Sequence, residues 1–444
     1  MTPKGDQALY QQTRRSAQEA AALIPSGAKI CMALGTGQPP ALLAALAERA
    51  RSASVADLRI YYMLCTGIAG ASVLDFALRD RITPMSLFHG GVERTLDRQH
   101  GDAHQPMVDF LPCHFSQVPR AMVEHVGVDT LIATVAPMDA DGNFSLGTDV
   151  DYALAVARKP GTRIILEVNA HMPYVRGDCM IPLSAVTALV EHDVALPTLP
   201  AITRTAVDDA IGATVAGLIR DGDCLQMGIG ALPEAVCAGL ANHRHLGIHT
   251  EMMTTGLAGL MQSGVVDNSR KQIHAGKAIY TFALGDQALY DFLHDNPAVE
   301  AHPVDYVNNP FLIARNDNMV SVNATLQVDF HGACNSEFVN GRQFSGTGGQ
   351  VDFVRGAYAS RGGRSIIACH STAAKGTISR ITPRLDGPVT TPRMDTHLIV
   401  TEYGLADLKG KSVGERAKAL IAIAHPDFRE QLERAAFEAG LFAN

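Results

Sequence analysis

The stretch "LGIHTEMMTTG", residues 246–256, runs an apolar, strand-like segment into a single carboxylate, Glu251. The pattern places Glu251 at the carboxyl end of a strand. Open α/β sheets bind their ligands outside that edge. A partly desolvated carboxylate there can serve as a nucleophile or a general base. A solvated acid closing a strand is the other reading of the position. Three further stretches carry chemistry-bearing types. "GIGALP", 228–233, and "GTGQPP", 35–40, put glycines between a strand and a helix, where backbone amides can approach an anion. "SGTGGQVDF", 345–353, sets Gly346, Gly348 and Gly349 before an apolar segment read as a strand. Its successive amides can hold an oxyanion or form a plain flexible turn. "STAAKGTISRI" places Lys375 and Arg380 in a small-residue loop, where they can meet phosphates or solvent.

Several chemistries are excluded by pattern. Neither glycine stretch completes GxGxxG, and GxxxxGK[ST] is absent, so dinucleotide and P-loop fingerprints are missing. The histidines lack HExxH and partners at ligand spacing, which predicts no metal site. No GxSxG elbow occurs.

The elements that must position these residues repeat along the chain. "RRSAQEAAALI" at 14–24 reads as a helix, "PSGAKICMAL" as a strand, "GTGQPP" as a loop, and "ALLAALAERAR" as a helix with Pro40 in its first turn. The same order returns in "VDDAIGATVAGLIR", "CLQM", "GIGALP" and "EAVCAGLANH". "LIPSG" at 23–27 lies over "LIRDG" at 218–222, and "LRIYYMLCTG" at 58–67 over "LGIHTEMMTTG". Two related α/β halves with largely parallel sheets follow. The segment 191–209 holds prolines and polar residues and marks a boundary between domains at 1–190 and 200–444. The polar stretch 331–350 is expected to be a functional loop.

Composition bounds the rest. The chain has 444 residues, too many for one ordinary core. Hydrophobic residues make up 47% and charged residues 18%, as in a well-buried globular protein. A net charge of -8 argues against nucleic-acid and anionic-membrane partners. The first residues lack the apolar core of a signal peptide, and the eight scattered cysteines read as buried free thiols, so a cytoplasmic location is expected.

Taken in order, "QMGIGALPEAV", "LGIHTEMMTTG", "SGTGGQVDFVRGA", "STAAKGTISRI" and "VTEYGLADLKGKSVGERAKALIAIAHPDF" resemble the acetyl-CoA hydrolase/transferase family. The resemblance runs over nearly the whole chain and is closest to 4-hydroxybutyrate and itaconate CoA-transferases. It implies two α/β domains of the NagB/RpiA/CoA-transferase-like kind with the active site between them. It also implies a ping-pong transfer of CoA through a glutamyl-CoA thioester, with Glu251 at the position of the glutamate. An oxyanion-stabilising asparagine in "VNNP" matches Asn308, with Asn309 as the competing choice, and a backbone amide matches Gly349. Gly228, Ile229, Gly230, Gly346, Gly348 and Lys375 become candidates for holding the pantetheine and phosphates of CoA. The expected ligands are an acyl-CoA and a short-chain carboxylate as substrates, with no permanently bound cofactor; a homodimer or homotetramer is what the family suggests.

Glu167 also ends an apolar strand and is a rival carboxylate, given a supporting or structural role. Members usually show Ser where this chain has Thr250, and many carry Glu where this chain has Gln38; the second departure bears on the acyl preference. The competing functions are an acyl-CoA hydrolase using the same glutamate, a non-catalytic metabolite-binding α/β protein, and a sugar-phosphate isomerase on the same fold.

Overall fold

The computed structural model describes residues 4–100 and 107–442. The chain divides into two compact units, one made of Met1–Leu199 and Ile279–Val307, the other of Pro200–Ala278 and Asn308–Asn444. The sequence placed a single change of domain at 191–209. The units instead change three times, because residues 279–307 return to the first. Part of that segment, Val299–Ala301, pairs in parallel with Arg176–Gly177. Its Ala301 backbone approaches Gly177 so closely that a Cβ there would lie 2.3 Å from the Ala301 oxygen. Such local pairings carry no periodicity signal in sequence.

The first unit holds a seven-stranded parallel sheet. Its strands are β1 (Lys29–Met32), β2 (Leu58–Tyr62), β3 (Ile82–Ser86), β4 (Asp109–Phe110), β5 (Thr130–Val135), β6 (Arg163–Val168) and β7 (Ala188–Glu191), in the order β7-β6-β5-β1-β2-β3-β4. A parallel sheet covered on both faces needs near-continuous apolar strands. β5, "TLIATV", is buried at every position. Ile24, Ile30, Leu42, Leu46, Ile60, Ile132 and Ile165 form one core between this sheet and the helices Ala17–Ala22 and Pro40–Arg51. The first of these helices is set by a capping box, Ser16 with Glu19.

The second unit holds β8 (Cys224–Met227), β9 (Gly247–Ile248), β10 (Met319–Ala324), β11 (Arg364–Ala368), β12 (Leu398–Thr401) and β13 (Gly404–Asp407), in the order β9-β8-β10-β11-β12-β13. All pairs are parallel except β12–β13. The order β2-β1-β5-β6-β7 in the first unit matches β9-β8-β10-β11-β12 in the second, which extends the repeat from its opening elements to a five-strand topology. The Ala206–Ala216 helix begins at a Thr205–Asp208 capping box, and the Gly212 Cα faces Ala235 of the Ala231–Gly239 helix with no room for a Cβ (2.6 Å). No helix among the described residues is long and apolar enough to cross a membrane.

Two local expectations change. "QVDFVRGAYA", read as a strand, is the helix Gln350–Ala359. Val351, Val354 and Ala357, three of its seven buried residues, recur at a spacing of three, a helical stripe that the preceding glycines obscure. The strand before Glu251 is only Gly247–Ile248, so the carboxylate lies three residues beyond its end.

Candidate active site

Glu251 reaches its place through β9. The ladder extends past the strand, with the His249 amide donating to the Leu225 carbonyl (3.1 Å). Thr250 is fully buried, and its hydroxyl donates to the Met252 carbonyl at 3.0 Å, a bond that a serine at this position would also make. Met252 and Met253 are buried, and Thr254 caps the Thr255–Gln262 helix by accepting from the Leu257 amide. The apolar and capping residues on either side thus fix the backbone at Glu251, while its side chain stays partly exposed.

Two donors meet that carboxylate. The Asn308 side-chain Nδ2 donates to Glu251 Oε2 at 2.7 Å, and Asn308 is fully buried. The Gly349 backbone N–H also donates to the carboxylate. The closeness is such that a Cβ on Gly349 would lie 1.9 Å from Glu251 Oε2 and 2.1 Å from Asn308 Nδ2. Only glycine fits. Gly349 stands at the N-cap of the Gln350–Ala359 helix, so its amide points along the positive end of the helix dipole. Burial pushes the Glu251 carboxyl up to about 7, the Asn308 bond opposes this, and the negative charge of Asp352 pushes further up. A carboxylate poised near neutral pH and held by two donors can attack an electrophilic carbonyl or move a proton.

The structure therefore brings together Glu251, Asn308 and Gly349. It decides between the two asparagines: Asn309 instead caps the short helix Pro310–Ile313 by accepting from the Phe311 amide at 3.0 Å. The other candidates stand on different elements of the same unit. Gly228, Ile229 and Gly230 form the turn from β8 into the Ala231–Gly239 helix, with Ile229 exposed and Gly230 at φ +122°, a conformation that favours glycine. Gly346 and Gly348 are buried in the approach to Gly349. Lys375 is exposed at the tip of the hairpin Thr372–Ala373/Ile378–Ser379, whereas Arg380 is spent on the Thr372 and Leu326 carbonyls. Asp352 was missed as a site residue, because its relation to Glu251 appears only once the helix after Gly349 is known.

Glu167 has a different task. It lies fully buried in β6 and accepts from the Ala41 and Leu42 amides (3.3 and 3.0 Å) and from His192 Nδ1 (2.7 Å). Pro39 and Pro40 supply no side-chain cap to the helix they open, so Glu167 satisfies its first amides from the sheet. Glu167→Gln would turn an amide NH2 toward one of those donors. The expected result is a loss of roughly 1–3 kcal/mol in denaturant unfolding, with the chemistry of Glu251 retained in the folded fraction. In the amino-terminal loop, Gln38 is buried and accepts from the Thr66 amide and hydroxyl (3.1 and 2.8 Å).

Comparison with known proteins gives the site its context. Residues 3–200 match the acetyl-CoA hydrolase/transferase N-terminal domain and residues 285–436 the C-terminal domain. The chain is 41% identical over 432 residues to a succinyl-CoA:cyclohexane-1-carboxylate CoA transferase of Geobacter metallireducens, covering 96% of this chain and 95% of that one. It is 41% identical over 427 residues to a 4-hydroxybutyrate coenzyme A transferase of Clostridium kluyveri, covering 96% and 97%. The crystal structure of RipA from Yersinia pestis is 49% identical and superposes with a TM-score of 0.94 over 98% of this chain and 100% of that one. With both domain models matched and relatives aligned along nearly their full length, the chain belongs to the acetyl-CoA hydrolase/transferase family.

Proposed function

We propose that this protein is a CoA-transferase that moves CoA from an acyl-CoA to a short-chain carboxylate through a thioester on Glu251. The observation that carries this is the Glu251 carboxylate held by Asn308 Nδ2 and the Gly349 amide at the carboxyl edge of a parallel sheet. In the first step Glu251 adds to the thioester carbonyl and CoA leaves as thiolate, giving a mixed anhydride. The thiolate then adds to Cδ of Glu251, the acyl carboxylate leaves, and Glu251 carries CoA as a thioester. An incoming carboxylate reverses both steps and departs as the new acyl-CoA.

The donor geometry suits the second addition. Asn308 holds Oε2, which becomes the carbonyl oxygen of the thioester and bears the negative charge while the tetrahedral adduct at Cδ lasts. Preorganised donors on such an oxygen supply ~2.7–4 kcal/mol each. Gly228, Ile229, Gly230, Gly346, Gly348 and Lys375 are the proposed contacts for the rest of CoA. The proposed acyl groups are 4-hydroxybutyrate-like or small dicarboxylates such as itaconate, with acetyl-, butyryl- or succinyl-CoA as donor.

The test is trapping. Incubation with acyl-CoA without acceptor, followed by borohydride, is expected to inactivate the enzyme and reduce Glu251 alone. Absence of modification, or modification at Glu167, would sink the proposal. Added carboxylate should then divert CoA into a new thioester; release of free thiol regardless of acceptor would identify a hydrolase working through the same glutamate.

A further inference from the structure

Glu251 hangs from the shortest strand of its sheet. β9 is two residues long and stands at the outer end of the order β9-β8-β10-β11-β12-β13. Its inner side is held by β8, where the Gly247 and His249 amides donate to the Asp223 and Leu225 carbonyls (2.8 and 3.1 Å). On the outer side a backbone bridge holds Leu246, whose N–H donates to the Val265 carbonyl and whose carbonyl accepts from the Asn268 N–H (both 3.1 Å). Past that bridge two side chains take over. The Ile248 N–H donates to Asn268 Oδ1 at 2.8 Å, and the Ile248 carbonyl accepts from Lys271 Nζ at 2.8 Å. One supplies the acceptor and the other the donor that a neighbouring strand would present. Both residues are buried, Asn268 at 1% and Lys271 at 5% exposure. Lys271 Nζ also donates to the Lys277 carbonyl at 2.6 Å. Its stem lies against the strand, since a Cβ on Gly247 would stand 2.7 Å from Lys271 Cγ. Asn268 has φ +57°, a left-handed conformation that asparagine tolerates.

The first unit shows the alternative. There β2, which lies over the same stretch in the repeat, pairs with β3 along its whole length, from Leu58↔Ile82 to Tyr62↔Ser86. We propose that Asn268 and Lys271 are positioning residues for Glu251: they stand in for a strand as far as Ile248 and end the ladder just before the nucleophile. This rests on the reading of Glu251 as the nucleophile. A continued ladder would hold Thr250 in register with a neighbour, as β3 holds Tyr62, and keep the chain on the sheet. Thr250 instead bonds along its own chain, its hydroxyl donating to the Met252 carbonyl at 3.0 Å, and the Glu251 carboxylate meets Asn308 at 2.7 Å. Only three residues separate Ile248 from Glu251, so a shift at Ile248 carries directly to the carboxylate. A purely structural role for the pair would lower the melting temperature and leave the turnover of folded enzyme unchanged.

Steady-state kinetics and the rate of CoA loading separate the roles. Lys271→Met keeps a stem and removes the donor. Its kcat should fall roughly 10–10²-fold with KM for acyl-CoA little changed, as for a nucleophile misplaced by up to about 1 Å. Loading from acetyl-CoA without acceptor, followed by intact mass, should slow by the same factor and still end on Glu251. Lys271→Arg shares the stem through Cδ, restores a donor and should recover most of kcat. Asn268→Gly suits the left-handed backbone, removes only the acceptor and should lose kcat in the same way. Asn268→Asp keeps the acceptor and should stay near native. Because Asn268→Gly leaves the charge of Lys271 in place, matching losses in the two variants exclude a direct effect of that charge on Glu251. Glu167→Gln, destabilised elsewhere, serves as the stability control and should keep native kcat in its folded fraction. Native kcat in folded Lys271→Met and Asn268→Gly would overturn the proposal. If only one of them folds, its kcat decides. Failure of both to fold would assign the pair to stability alone and overturn the proposal as well. Absence of any adduct on Glu251 in the native enzyme would instead overturn the parent reading.

Discussion

Glu251→Gln is expected to lower CoA transfer by roughly 10⁴-fold or more, as removal of a covalent nucleophile commonly does, and to abolish the borohydride-trapped adduct. Glu251→Asp keeps the charge but withdraws the carboxylate by one methylene from Asn308 and Gly349. Misplacement by about 1 Å can cost 10²-fold, so the Asp variant should lie between native and Gln. The native enzyme should lose kcat/KM as pH falls through about 7, because the attacking form is the carboxylate and burial holds its titration there. Stability runs the other way. The folded protein binds this proton more tightly than an unfolded chain, in which a glutamate titrates near 4.5. The associated stability is present below that lower value and is lost as pH rises from it through about 7. Above pH 7 the neutral Gln variant escapes the loss and should melt higher than native. The ceiling is ~3 kcal/mol from the shift, and less because the carboxylate is partly exposed. Below about pH 4.5 the two curves should meet. Melting curves and initial rates on the same preparations check both directions. Equal melting at pH 8 would show that Glu251 is not held at a cost.

Gly349→Ala is expected to cut kcat by roughly 10³-fold or more with a smaller change in KM. Loss of one oxyanion donor costs about 10²–10³, and here a single methyl disturbs two partners. It would lie 1.9 Å from Glu251 Oε2 and 2.1 Å from Asn308 Nδ2, so both side chains must move. The backbone at Gly349, φ -97° and ψ 13°, is open to alanine, so the effect is contact rather than strain. Far-ultraviolet circular dichroism should stay native. Asn308→Ala removes one donor and leaves the helix amide in place, so it should lose about 10²–10³. Steady-state kinetics of the two variants side by side decide the matter: a Gly349→Ala enzyme with native kcat would show that the amide plays no part in the chemistry.

Much of this arrangement could be read before any coordinates. The strand–glycine–helix repeat placed β1, β2, β8 and β9, because buried parallel strands are short apolar runs and the glycine turns punctuate them. Overlaying "LRIYYMLCTG" on "LGIHTEMMTTG" set Met63 opposite Glu251, and Met63 is a buried core residue. The repeat therefore isolated the acid as something the fold did not need. The asparagine was narrowed to two neighbours and needed geometry to choose, since adjacent residues share composition and differ only in direction. The helix after Gly349 was misread because three glycines mask the start of a helical stripe. That error hid the amide's place at a helix terminus and hid Asp352 one turn on. The task of Glu167 was invisible because its partners, Ala41 and Leu42, lie some 125 residues away in sequence. The return of residues 279–307 to the first unit was hidden for the same reason.

That return has a consequence for how the molecule can be taken apart. Glu251 and Asn308 touch, yet the chain between them leaves the second unit after Ala278 and rejoins it at Asn308. One cut after Leu199 yields an amino-terminal fragment that lacks residues 279–307 of the first unit, and a carboxyl-terminal fragment that holds the whole second unit together with those residues. A chimaera exchanging units between relatives needs three junctions, after Leu199, Ala278 and Val307. The 29 residues from 279 to 307 tie the two halves of the nucleophile's cradle to the folding of a unit that supplies neither. The asparagine that meets Glu251 therefore follows directly on a segment that belongs to the other unit.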